Sequence, residues 1–370
     1  MNIALQKTLT FILFILIGIA LKLKFKKPDE TVGLKKIILN LALPSTIFIA
    51  LLKIEIEASL ILLPFMAMGL NIALFLITPI LLSVIGISSS SPSGRTAKML
   101  IPSLAPGLSC FPFITEFLGD HALAKAAMTD LGNKIFVLFI LYIIAMNWHY
   151  KLNRDKQTNR KSKLKNLLLA MINEPVNVFI FIALILVGAG LHLSNFPDFL
   201  ENTISRLSAI MTPLVLLFIG LAVKIKKKQF SQICSLLLLR AGFSFLLIAV
   251  VNLLLHFNPE TILLITAFAL SACSFWPFAH VSAVLSIEKN TNENQKTFDA
   301  DFAIGILAFS LPLSTLLILG ILSTGETFTS SRALFTIALV CCIIGITPIL
   351  FKKIRLSKNS IFLKLSNNKA

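Results

Sequence analysis

Residues 261–286 read TILLITAFALSACSFWPFAHVSAVLS, an apolar stretch of helix length interrupted at Ser274 and Pro277. Proline removes a backbone donor and clashes with the carbonyl four residues back, at a cost of about 3 kcal/mol inside a helix. Hydrocarbon holds no water for the freed groups, so such backbone persists only where protein or a wet cavity surrounds it. A kinked helix is one reading, because proline is frequent in membrane helices. Recurrence points further. Residues 99–118, MLIPSLAPGLSCFPFITEFL, carry the same device, with SCFPF at 109–113 answering SFWPF at 274–278. Breaks in corresponding positions of two halves point to the binding site of a repeat-built transporter.

The surrounding chain agrees. Its 370 residues are 56% hydrophobic and 14% charged, with a mean hydropathy of +0.88. Apolar runs of about 17–25 residues are needed to cross a bilayer, and eleven such spans can be marked, which leaves no room for a soluble domain. The apolar start is read as the first span rather than a signal peptide, since its positive charge follows the run and no small-residue cleavage pattern appears. The five cysteines, Cys110, Cys234, Cys273, Cys341 and Cys342, have neither CxxC nor Cys/His spacing and read as packing residues. Neither a metal nor a cofactor is expected.

A net charge of +17 is of the size that nucleic-acid binders carry, but its placement argues otherwise. Of the 34 lysines and arginines, 27 fall at 22–36, 95–98, 151–165, 224–228, 289–296 and from 352 onward. These are alternate loops, and the positive-inside rule then sets the N-terminus outside and the C-terminus in the cytoplasm. The expected location is a bacterial inner membrane, with no nucleic-acid partner.

In chain order the spans fall at about 8–22, 36–52, 58–85, 99–118, 126–147, 175–193, 207–223, 232–255, 261–286, 302–322 and 333–351. MTPLVLLFIGLAVK in span seven echoes ALPSTIFIALLK in span two, with Pro213 answering Pro44. Five crossings per half force the second copy to enter the membrane upside down. The expected fold class is therefore an all-α polytopic membrane protein of two inverted five-helix repeats with broken spans four and nine, plus an eleventh helix. The divisions are 1–148, a basic cytoplasmic linker at 149–168, the second repeat at 169–322, and the extra span and basic tail at 323–370.

The chain resembles the auxin efflux carrier family, which includes plant PIN carriers and bacterial malate or malonate permeases. The likeness rests on LNLALPSTIF at 39–48, PGLSCFPF at 106–113 followed by FLGDHALAKAAMTD, NEPVNV at 173–178, PLVLLFIGLAV at 213–223 and SLPLSTL at 310–316. It implies that spans four and nine cross near the midplane, with Pro112 and Pro277 as the crossing prolines, and that a mobile crossover bundle works against a scaffold bundle. Where the family often has Asn-Thr-Gly, this chain has Ala105, Pro106 and Gly107. The stretch EKNTNENQKTFDAD at 288–301 and the eleventh span also depart from the ten-span pattern.

Broken helices present unpaired N–H groups and a favourable dipole to anions. Two such ends meeting at mid-membrane make a carboxylate cradle, with Gly107, Ser109 and Cys110 on one side and Ser271, Ser274 and Trp276 on the other. The same small residues also suit tight helix crossing. Ionisable residues within spans are costly and point to function. Arg240 either balances an anion, pairs with an acid or snorkels to the inner surface. Asp130 and Lys134 are spaced as an i, i+4 pair beside Asn133, which suits either a relay or an interfacial ion pair. Asn71 is a candidate for a bond between helices. His280 either titrates or packs against backbone. Glu116, Asp299 and Asp301 are expected near span ends.

The function this implies is secondary-active transport of a small organic anion, with protons as a candidate coupling ion and the lipid bilayer as surroundings. A homodimer is left open. No GxxxxGK[ST] loop is present, so direct ATP use is not expected, and no HExxH or GxSxG motif suggests an enzyme. A sodium-coupled carrier like the bile-acid symporters is the first alternative, though the crossover is poor in acids. A nontransporting membrane receptor or scaffold is the second.

Overall fold

The computed structural model describes residues 3–25, 28–53, 59–152, 169, 173–222, 230–288 and 296–348. Most of the basic linker at 149–168, the loop at 224–228, most of the 289–296 loop and the tail from 352 lie outside the described residues. Every regular element among the described residues is helical. They are α1 (Ile3–Leu21), α2 (Asp29–Leu52), α3 (Ser59–Val84), α4 (Pro92–Leu100), the single turn α5 (Pro106–Ser109) and α6 (Phe111–Leu152). After these come α7 (Pro175–Gly188), α8 (Asp198–Ala222), α9 (Phe230–Leu255), α10 (Pro259–Ala269), α11 (Trp276–Ile287), α12 (Ala300–Ser323) and α13 (Ser331–Pro348).

Seven helices among the described residues are long and apolar enough to cross a membrane, and α1, α7, α10 and α11 are shorter apolar helices. The helix starts follow local chemistry. Ser91 accepts from Gly94 N–H at 3.0 Å and Asn258 from Thr261 N–H at 2.8 Å, each followed by proline at the first helical position, where a missing donor costs nothing. Asp299 caps α12 by accepting from Phe302 N–H at 3.0 Å. The spans expected at 99–118 and 126–147 are joined not by a separate loop but within α6, which bends at Gly119, where φ is 84° and ψ −177°, a region open to glycine alone.

The helices sort into two groups by packing. One joins α1, α2, α7 and α8; the other joins α3, α4, α6 and α9–α12. In the first group α1 and α8 approach backbone to backbone, because a Cβ on Gly220 would lie 2.2 Å from the Ile15 carbonyl oxygen and one on Gly18 2.3 Å from that of Leu217. The second group carries α13, whose Ala338 and Cys342 sit against Gly242 of α9. The two groups meet mainly where α2 packs on α6.

The outer faces are apolar. Ile61, Leu62, Phe65, Leu76 and Ile80 of α3 and Leu339, Ile343 and Ile344 of α13 are all more than half exposed. Contiguous exposed apolar surface of this kind suits hydrocarbon rather than water.

Candidate functional site

Two unwound segments meet in the second helix group. The first runs over residues 101–105 between α4 and α5, and the second over residues 270–275 between α10 and α11. Ala105 N–H donates to the Ala272 carbonyl at 2.8 Å, Ala272 N–H to Ser109 Oγ at 2.9 Å and Ser274 N–H to Ser103 Oγ at 3.0 Å. These bonds hold the two breaks against each other.

The register differs from that read in the sequence. The first break lies ahead of Ser109–Phe113, so that Ser103-Leu104-Ala105-Pro106 is the counterpart of Ser274-Phe275-Trp276-Pro277, a shared SxxP pattern, while in space Ser103 faces Ser274 and Ala105 faces Ala272. Pro277 begins α11 directly after its break. Pro112 instead sits in the first turn of α6, after the extra turn α5.

Backbone polar groups buried away from water need partners, and two side chains supply those of four carbonyls in the breaks. Arg240, only 3% exposed, donates through Nε to the Ile101 carbonyl at 2.8 Å and through Nη2 to the Ser271 carbonyl at 2.9 Å and the Ser103 carbonyl at 3.3 Å. It neither snorkels nor pairs with an acid. Asn133 brackets Leu104, accepting from its N–H at 3.2 Å and donating to its carbonyl at 2.9 Å. Asn133 Oδ1 also accepts from Asn71 at 2.9 Å, and its Nδ2 donates to Asp130 Oδ1 at 2.8 Å. All four of its hydrogen-bonding positions are thereby filled. Cys273 N–H reaches Ser310 Oγ at 3.2 Å, and Trp276 N–H reaches Ser274 Oγ at 3.3 Å. The N–H groups of residues 103–105 and 271–274 are thus engaged inside the crossover.

Positive charge near the crossover therefore comes from side chains. A cavity of about 330 Å³ lies between the two helix groups, walled by Gly107, Phe111, Asn133, Ser274 and Trp276 on one side and by Leu39, Leu43 and Val176 on the other. Among the described residues, four charged ones border it: Lys35, Asp130, Lys134 and Glu174. Lys134 donates to Asn177 Oδ1 at 2.8 Å and lies 3.4 Å from Glu174 and 3.5 Å from Asp130. Its side chain is 8% exposed, against 7% for Asp130 and 23% for Glu174. Lys35 rests over the Phe275 ring at 4.7 Å, in favourable cation–π range.

Of the residues proposed from sequence, Gly107, Ser274, Trp276, Asp130, Asn133 and Lys134 border this cavity. Asn71 stands behind it through Asn133. Ser109, Cys110, Ser271, Pro112 and Pro277 are buried in the crossover and its flanking helices. His280 packs on Tyr142 with ring centroids 5.4 Å apart and bonds the Val137 carbonyl at 3.0 Å. Glu116 pairs with Lys7 at 3.6 Å, and Asp299, besides capping α12, accepts from Ser93 at 2.7 Å. Sequence reasoning missed Lys35, Glu174, Asn177 and Ser103. NEPVNV did carry a signal for two of them, a charged residue and an amide flanking the start of an apolar run.

No family model matches the chain. An uncharacterized transporter of Methanocaldococcus jannaschii is 24% identical over 233 residues, covering 62% of this chain and 71% of that protein. Together with the apolar helices, this similarity supports an integral membrane protein of the transporter class.

Proposed function

We propose that the protein is a secondary transporter that moves a small organic anion by alternating access, with its site in the cavity between the crossover and the α2/α7 wall. The observation carrying this reading is the cavity's position. It borders both helix groups, and its wall includes crossover backbone as well as two lysines. A rocking motion of one group against the other would expose the same residues to either face in turn, as repeat-built transporters do.

The finer architecture belongs to this reading. The two halves are inverted repeats, and the resemblance to the auxin efflux carriers supports a crossover bundle moving on a scaffold of α1, α2, α7 and α8. In the chain, Lys35 belongs to the basic stretch at 22–36, Glu174 follows the one at 149–168 and α11 precedes the one at 289–296. With those stretches cytoplasmic, the cavity described here faces inward.

The test is uptake into proteoliposomes. Purified protein should give saturable accumulation of at least one of ¹⁴C-labelled acetate, pyruvate or malonate, and Lys134→Gln should reduce it by at least about tenfold, as expected for loss of a charge-assisted contact worth about 1.4 kcal/mol or more. Absence of saturable uptake for all three probes, or wild-type uptake by Lys134→Gln, contradicts the reading.

A further inference from the structure

Lys134 is held at the cavity by partners from both helix groups, and both groups supply its acids. Asp130 belongs to the same helix, one turn away, whereas Glu174 and its neighbour Asn177 come from α7, across the cavity. The bonds of Lys134 to Glu174 and Asn177 thus join the crossover group to the α2/α7 wall. They must break whenever those groups separate.

With all four ionised, the charged side chains bordering the cavity, Lys35, Lys134, Asp130 and Glu174, sum to zero. Adding a carboxylate would leave a net negative charge in a poorly solvated space, which is costly. One of the two acids must then take up a proton for the site to stay neutral. Lys134 is shared almost equally, at 3.5 Å from Asp130 and 3.4 Å from Glu174. Asp130 is the poorer candidate, since Asn133 also donates to it at 2.8 Å and its side chain is 7% exposed. Glu174 is 23% exposed, and its amide donor Asn177 stands farther off at 3.3 Å, within reach of water from the cavity.

We propose that Glu174 is an internal stand-in for the transported anion: its carboxylate occupies Lys134 when the site is empty, and its protonation frees Lys134 for a substrate carboxylate. This rests on the transport reading above. In the loading step Glu174 takes one proton from water on the side where substrate enters, and the substrate carboxylate replaces it at the Lys134 ammonium, which stays protonated throughout. On release the proton leaves with the substrate, so one proton and one monocarboxylate cross together and no net charge moves, whereas a dicarboxylate dianion carried with one proton moves one negative charge. Among the described residues, Lys134 and Asp130 from α6 and Asn177 from its own helix face Glu174, and Lys35 of α2 borders the same cavity.

The experiment uses Trp276, which borders the cavity and remains as the sole tryptophan in Trp148→Phe, since the chain has two. Its fluorescence is titrated with acetate, pyruvate and malonate between pH 5 and 8, alongside flux in proteoliposomes. The apparent affinity of a responding probe should fall by about tenfold per pH unit at the alkaline end, the slope for one linked proton. Glu174→Gln should bind with little pH dependence and lose stimulation by an acid-outside gradient while keeping substrate exchange. Glu174→Asp should retain the pH dependence, which separates titration from misfolding. Wild-type pH dependence in Glu174→Gln overturns the proposal, and so does the absence of a response to any of the three probes. Proton-linked binding without flux contradicts the transport reading alone, and flux with pH-independent binding contradicts the role of Glu174 alone.

Discussion

Arg240 delivers its guanidinium to three backbone carbonyls, one contributed by the second break and two by the first. Its role could not be read from LLLLRAGFSF because its partners are main-chain atoms brought together only by the crossing. The pair Asp130 and Lys134 was legible, since i, i+4 spacing alone sets them face to face; Glu174 was not, because it is 40 positions from Lys134 in the chain. Arg240→Leu leaves the carbonyls uncapped at about 1–3 kcal/mol each, and its apparent melting temperature in detergent should fall by about 5–10 °C. Arg240→Lys, with a smaller reach and no planar fork, should recover part of that loss. Ser109→Ala removes the acceptor of the Ala272 N–H and should cost about 1–3 kcal/mol, read by the same melt.

At the scale of elements, hydropathy and length placed the apolar helices well, because a bilayer demands length more strictly than sequence detail. The helix at 331–348 coincides with the eleventh expected span. Break positions were less legible. Proline is as acceptable in a helix's first turn as at a break, so SCFPF looked equivalent to SFWPF although the first break falls at 101–105. The α1/α8 seam gives an independent check on the first helix group. Gly220→Leu must push apart backbones that a Cβ would meet at 2.2 Å, and over-packing of this kind costs about 1–3 kcal/mol or more. Folded yield and melting temperature should both drop, whereas Gly320→Leu, at a position where a Cβ meets nothing within 4 Å, should leave them unchanged.

For the whole molecule, transport as proposed requires that the two groups of helices bordering the cavity separate and so change which face it meets. Leu43 of α2 and Gly107 beside the crossover offer a way to fix that separation, because a Cβ on Gly107 would lie 2.8 Å from Leu43 Cδ2. The most direct measurement is carboxylate uptake by Leu43→Cys/Gly107→Cys protein in a background free of the five native cysteines, before and after bridging through disulfides with a short bis-methanethiosulfonate. The account predicts that bridging stops uptake, that reduction restores it, and that neither single cysteine responds. Undiminished uptake by fully bridged protein would contradict it.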